Sequence, residues 1–273
     1  MEKLLGLLFI SIGLSCNSQD MIVFKVKYTP GTNYNQTINQ ATETTVKYAG
    51  AQEFLQDLKA RKIDNPTITT ANSKTKSIIK TGKLIDNKSF PVSIHFIETT
   101  SSDGKSPIPN GTIIYGACSL EKFPSLDSIS GTLSDDIKKV LLQTMQKSFS
   151  QMDFPEQKVR VGETFSRQTP LTLPIAGINL EISITTTYKL INVKSNSAMF
   201  DISQVYTFKS TIKDYDVKVT GTGKGNLIYD IDYHFYKRYQ IDTDMMLNMK
   251  LDKLDLGLNS KSRFVQSVTI TKG

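Results

Sequence analysis

Between Val217 and Tyr229 the chain alternates without a break. Val217, Val219, Gly221, Gly223, Gly225, Leu227 and Tyr229 hold the odd positions, and Lys218, Thr220, Thr222, Lys224 and Asn226 the even ones. Side chains two residues apart share one face of a strand. The segment therefore reads as one long strand, polar on one face, with the other face apolar at both ends and bare in the middle. After a turn around Asp230 to His234, the odd positions Phe235, Tyr239, Ile241, Met245, Leu247, Met249 and Leu251 continue the pattern. Tyr236, Arg238, Gln240, Asp242, Asp244, Asn248, Lys250 and Asp252 alternate with them. An ordinary strand has about 5–6 residues. Runs of this length require a long hairpin that twists and curves.

The same period recurs along the chain. Ile22, Phe24, Val26 and Tyr28 alternate, as do Tyr34, Ile38, Val46 and Tyr48 among threonines that suit strands. Leu180, Ile182, Ile184, Tyr188 and Leu190 follow, then Phe200, Ile202, Tyr206 and Phe208, and finally Phe264, Val268 and Ile270. Turn signals separate the runs at Pro30-Gly31, Asp103-Gly104, Asn110-Gly111 and Lys194-Ser195-Asn196. Two stretches change to helical spacing. Residues 51–62 put Phe54, Leu55 and Leu58 on one side. Residues 134–152 begin with Ser134 as an N-cap and Asp135 and Asp136 in the first turn, where they suit the helix dipole. Ile137, Leu141, Met145 and Phe149 then recur at i+4, joined by Val140 and Leu142, until Pro155 stops the helix.

The fold class expected is mainly β (α+β): long, curved antiparallel sheet with one main packed helix at about 134–152 and a shorter one at about 51–62. Two short matches hint at an internal repeat. PGTNYNQT near position 30 resembles VGETFSRQT near 161, and GTIIY at 111–115 resembles GNLIY at 225–229. They point to two meander halves, 22–130 and 156–273, flanking the main helix within one β-rich unit, 22–273.

The glycines of KVTGTGKGNLIYD look at first like a phosphate-binding loop. Such a loop lies between a strand and a helix, and a Walker lysine is followed by Ser or Thr. Lys224 is followed by Gly225, and no helix comes next. The nucleotide reading fails. Three glycines in one parity instead free roughly 14 Å of strand face from side chains. In one reading the gap receives a large neighbour, the helix at 134–152, or lets the long sheet bend; in a second it is the floor of a ligand cavity. The second reading makes Gly221, Gly223, Gly225, Met245 and Met249 the candidate cavity residues, methionine being suited to flexible apolar ligands.

The opening residues, MEKLLGLLFISIGLSCNS, have the form of a bacterial export signal over 1–15. The apolar stretch from Leu4 to Leu14 is too short for a transmembrane helix. Cys16 then reads as the lipid-anchor site of a lipoprotein, with 16–21 as a tether. The alternative is a secreted or soluble periplasmic protein with an incidental cysteine. Cys118, in the apolar run Ile113 to Cys118, reads as a buried small hydrophobe, and no disulfide is expected.

The net charge is +7, but the lysines are scattered and arginine is scarce. That pattern points away from nucleic acid. The two histidines, His95 and His234, have no metal-ligand spacing or nucleophile elbow around them. Asp242 and Asp244 share a parity with Arg238 and Lys250, as on a solvated face. No catalytic residue, metal site or cofactor is expected.

The ending GLSC, the strand that follows it, the Gly-x-x-aromatic start and GTGKGNLIYDID before a long hairpin resemble uncharacterised β-rich lipoproteins of Bacteroidota-type bacteria. At the level of architecture, the pattern is similar to half-barrel lipoprotein chaperones and lipid-binding lipoproteins. The resemblance brings no assigned activity and no site residues to this chain. The expectation drawn from the sequence is a non-enzymatic envelope lipoprotein, anchored through Cys16 at the outer membrane and facing either the periplasm or the cell surface, that binds a hydrophobic or amphipathic ligand. The alternative is a structural or adaptor lipoprotein that binds an envelope protein and has no internal ligand. Glycan binding, through Tyr206, Tyr215 and Tyr236, is a third reading that the absence of tryptophan weakens.

Overall fold

The computed structural model describes residues 21–104, 108–150, 155–175, 178–208, 216–251 and 254–273. The signal segment 1–15, Cys16, most of the tether and Tyr215 lie outside them. The strands, in chain order, are β1 (Met21–Phe24), β2 (Thr32–Gly50), β3 (Thr67–Thr81), β4 (Ser89–Ser101), β5 (Ile113–Ser119), β6 (Lys122–Ser130), β7 (Gln157–Arg160), β8 (Thr164–Ile175), β9 (Ile178–Lys194), β10 (Ser197–Phe208), β11 (Asp216–Asp230), β12 (Phe235–Leu251) and β13 (Leu254–Lys272). Helix α1 (Gln52–Ala60) follows β2, and α2 (Asp135–Ser150) follows β6. The fold is mainly β, as the alternation requires.

Eleven strands form one antiparallel sheet in the order β6-β5-β4-β3-β2-β13-β12-β11-β10-β9-β8. Each strand pairs with its chain neighbour except at one seam, where the last strand, β13, pairs with β2 over nineteen residues. The sheet is curved, and it does not close: β6 and β8 are its two edges. The short strands β1 and β7 pair with each other apart from the large sheet.

The chain preceding β2 shows how strongly the sheet curves. Phe24 packs against Phe165 of β8, Phe200 of β10 and Tyr229 of β11, with ring centroids 4.8–5.3 Å apart. Tyr28, four residues on, meets Tyr34 of β2, Phe123 of β6, Phe149 of α2 and Phe235 of β12. A single extended segment thus touches strands at both edges, so the sheet wraps around it. Ile22, Phe24, Val26 and Tyr28 are all buried. The segment's backbone is also satisfied. Tyr229 donates its hydroxyl to the Lys25 carbonyl at 2.8 Å, and the Thr29 N–H donates to the Tyr34 hydroxyl at 2.8 Å.

The first of the two short sequence matches falls at corresponding places. Gly31 and Gly162 both have positive φ, 61° and 90°, in the turns that lead into β2 and β8. The aromatics three residues on, Tyr34 and Phe165, both face the concave side. The second match does not correspond: GTIIY runs from a turn into β5 with Ile114 buried and Tyr115 exposed, whereas GNLIY lies inside β11 with Leu227 and Tyr229 buried, so the aligned residues take opposite faces.

Asp230 organises the β11–β12 turn. One carboxylate oxygen accepts from the backbone N–H groups of Asp232 and Tyr233 and from the Asn196 amide, at 3.0–3.1 Å. The other pairs with Lys237 at 2.7 Å. Burial acts to raise the Asp230 pKa, but the Lys237 bond and these donors outweigh it and hold the carboxyl below its ordinary value. Phe235 and Tyr236 both face the concave side, against the alternation that put Tyr236 on the polar face, because the β11–β12 register shifts at Ile228/Tyr229.

Helix α2 departs from its expected packing. Phe149 is buried and Leu141, Leu142 and Met145 are half-buried, but Ile137 and Val140 are 49% and 61% exposed. The helix lies across the β6 rim, so only its C-terminal half reaches the concave face. Gln146 fastens it there, accepting from the Leu126 N–H at 2.9 Å and donating to the Pro124 carbonyl at 3.1 Å.

Replacing Phe24 by alanine should cost about 3–5 kcal/mol, as for large-to-small changes in a packed core. Val205→Ala, on the opposite face, should stay within about 0.5 kcal/mol. Urea unfolding of the two variants, at unchanged slope, checks both.

Candidate functional site

The concave face carries two apolar clusters. The larger surrounds the Ile22–Tyr28 segment, and the smaller comprises Leu180, Ile182, Val219, Leu247, Met249 and Leu256 toward the α1 end of the sheet. Between them the strand registers line up Thr186, Gln204, Gly223, Thr243, Ser262 and Thr42 in one row across six strands. This polar row is internally bonded. Gln204 donates to the Thr186 hydroxyl at 3.1 Å and accepts from the Tyr206 hydroxyl at 3.1 Å, and Thr42 donates to Ser262 at 3.2 Å.

The glycine gap lies at this row, and its neighbours fill it. A Cβ added to Gly221 would stand 3.1 Å from the Tyr206 ring, and one on Gly223 would stand 3.1 Å from Gln204 and 3.2 Å from Ile241. At Gly225 it would run into the carbonyl oxygen of Gln240, so β11 and β12 come together there more closely than a side chain permits. The gap is closed by its two neighbouring strands, β10 and β12, and not by α2. Met245 and Met249 belong to the smaller cluster, and Met249 is 1% exposed.

An apolar cavity does exist, elsewhere on the same face. It has a volume of about 450 Å³ and lies between α2 and the inner sides of β2, β3, β4 and β13. Met145 and Phe149 of α2 and Tyr28 form its cover, and Ile38, Ile79, Ile94, Phe96 and Phe264 its sheet side. Gln36, Thr75, Ser77, Ser148 and Gln266 supply polar atoms, and Tyr236 and Ile108 complete the wall. None of Gly221, Gly223, Gly225, Met245 and Met249 lines it. A size of a few hundred Å³ with an apolar wall and a few polar groups is that of a small-molecule site.

Sequence reasoning missed these residues, although a signal was present. Gln36 lies between Tyr34 and Ile38, Ser77 two before Ile79, and Gln266 between Phe264 and Val268, each a polar residue at a core-facing position. Ser77 and Gln266 are only 4% and 8% exposed. Burial lifts the Tyr28 and Tyr236 hydroxyls well above the ordinary tyrosine range.

A larger groove, about 690 Å³, crosses the opposite face over β2, β3, β11, β12 and β13. Its charged residues are Glu43, Lys224, Asp242, Asp244, Lys261 and Arg263, three of each sign. They stand as cross-strand partners, Lys224 beside Asp242 beside Arg263, and Asp244 beside Lys261 beside Glu43. Asp242 and Asp244 therefore belong to a self-neutralising ladder on a solvated face.

The remaining reactive groups are tied into the fold. Cys118 is buried, its sulfur 3.1 Å from the Lys122 carbonyl, and burial pushes its thiol up to about 12. His95 Nε2 lies 2.9 Å from the Ser93 hydroxyl, and burial with the Lys80 charge lowers its pKa. His234 Nδ1 lies 3.1 Å from the Tyr229 hydroxyl, and burial with the Lys27 and Lys25 charges lowers its pKa. Among the described residues, no three His, Cys, Asp or Glu side chains gather in a metal-binding group.

The fold and cavity together define an open, curved β-sheet with a helix over part of its concave face. The sequence matches no protein-family model, and no curated protein matches it. A solved outer membrane channel from Pseudomonas putida F1 aligns with 90% of this chain and 98% of its own at 9% identity. Its TM-score of 0.21 is too low for the likeness to carry any argument.

Gly225→Ala should destabilise the protein by about 1–3 kcal/mol or more, since the backbone of β12 must move. Gly223→Ala meets only side-chain atoms and regains strand entropy, so it should fall within about 1 kcal/mol of the parent. Thermal unfolding of both variants tests the order.

Proposed function

We propose that the protein is a cell-envelope lipoprotein, anchored at the outer membrane through Cys16, that binds a hydrophobic or amphipathic ligand without catalysing a reaction on it. The observation that carries this reading is the 450 Å³ apolar cavity between α2 and the concave sheet. Burying an alkyl chain there would remove apolar surface from water at about 25 cal/mol per Å². The helix that covers the cavity is only half packed, with Ile137 and Val140 exposed, so moving it to admit a ligand breaks fewer core contacts than moving a strand would. The export-type segment with Cys16 supports the envelope assignment. The bonded surroundings of His95, His234 and Cys118 support binding over catalysis. The adaptor reading draws instead on the exposed apolar stripe of α2 as a contact for another protein.

Native mass spectrometry of the mature form, expressed without Cys16, tests the cavity. A co-purifying or added alkyl amphiphile should bind the parent and be lost in Thr75→Trp, which projects a ring from β3 into the cavity. Circular dichroism should show that the variant is folded. An apo mass throughout, with no uptake of a fluorescent lipid, would sink the reading and favour the adaptor. Acyl labelling of the full chain that disappears in Cys16→Ser tests the anchor separately.

A further inference from the structure

Among the described residues, the walls of the α2 cavity hold no charged side chain. Its polar atoms are the amides of Gln36 and Gln266, the hydroxyls of Thr75, Ser77 and Ser148, and the phenols of Tyr28 and Tyr236. Amides and hydroxyls both donate and accept, so they match a hydroxyl, ester or amide and offer no counter-charge. Among the described residues, the neighbouring cations lie outside the cavity lining. Lys74 and Lys76 alternate with Thr75 and Ser77 and so leave β3 on the opposite face, where both pair with Glu98 at 2.9 and 2.6 Å. Lys138 of α2 pairs with Asp135 at 3.4 Å, and Lys147 is exposed.

Resting on the cavity reading above, we infer that this site selects alkyl amphiphiles whose buried polar group is uncharged, such as monoacylglycerols, fatty alcohols or fatty amides, over ionised fatty acids and alkyl phosphates. A carboxylate or phosphate taken into an apolar cavity with no cation beside it loses its hydration without repayment, at a cost of several kcal/mol. A neutral head loses far less and regains hydrogen bonds from Gln36, Gln266 and Ser77. Burial keeps the two phenols protonated, so they add no charge in mildly alkaline solution.

The test is displacement of an uncharged naphthylamine probe from the mature protein by amphiphiles with one dodecyl chain and different heads. Dodecanol, monododecanoylglycerol and dodecanamide should compete at concentrations at least about tenfold below those of dodecanoate, dodecyl phosphate and dodecyltrimethylammonium, since tenfold corresponds to only about 1.4 kcal/mol. Gln36→Lys, which places a cation at the cavity wall, should reverse the order in favour of dodecanoate. Equal or tighter binding of the charged heads to the parent would overturn the inference and leave the cavity reading standing, because it would mean that the head lies in water. If no chain displaces the probe, both readings fall.

Discussion

An open sheet of eleven strands that curves without closing has an apolar inner face, and everything else in this fold depends on how that face is covered. The residues just before β2 do most of the covering. Phe24 and Tyr28 lie against rings from seven strands and from α2, and the segment's backbone is bonded to Tyr229 and Tyr34. Burial of this one extended segment stabilises both meanders together. Its opposite in energetic terms is the polar row at Thr186, Gln204 and Thr42, where the inner face is satisfied by hydrogen bonds within the sheet.

The covering is uneven, and the unevenness produces the cavity. Next to Phe24 the rings are in contact. Beyond Tyr28, α2 bridges to the sheet through Met145 and Phe149 while its first two turns project past the rim. A helix held by Gln146, the buried Phe149 and the half-buried Leu141, Leu142 and Met145 is a weaker cover than a strand hydrogen-bonded on both sides within the sheet. The proposed ligand would enter at the weakest part of the cover, where opening costs little, whereas the glycine stretch is locked between Gln204, Tyr206 and β12.

Much of the fold was legible from period-two alternation alone, since a strand reveals its two faces in its own sequence. Val217 to Tyr229 and Phe235 to Leu251 were readable as one long hairpin for that reason. Pairing of β13 with β2 was not, because it depends on residues more than two hundred positions apart. Helical spacing showed which side of α2 is apolar, but it does not reveal that the rim leaves Ile137 and Val140 uncovered. The missing side chains at Gly221, Gly223 and Gly225 were visible, while the residues that replace them, Gln204 and Tyr206, come from another strand. The cavity itself was marked only by parity breaks at Gln36, Ser77 and Gln266, a signal that many solvated strand ends also give.

Amide hydrogen exchange, measured on the mature protein with and without saturating monododecanoylglycerol, bears most directly on the placement of the site. Binding beneath α2 is predicted to slow exchange across Asp135–Ser150 and in the parts of β3 and β4 around Ser77 and Ile94. Unchanged exchange in α2, with protection along the charged groove of β12 and β13 instead, would contradict it.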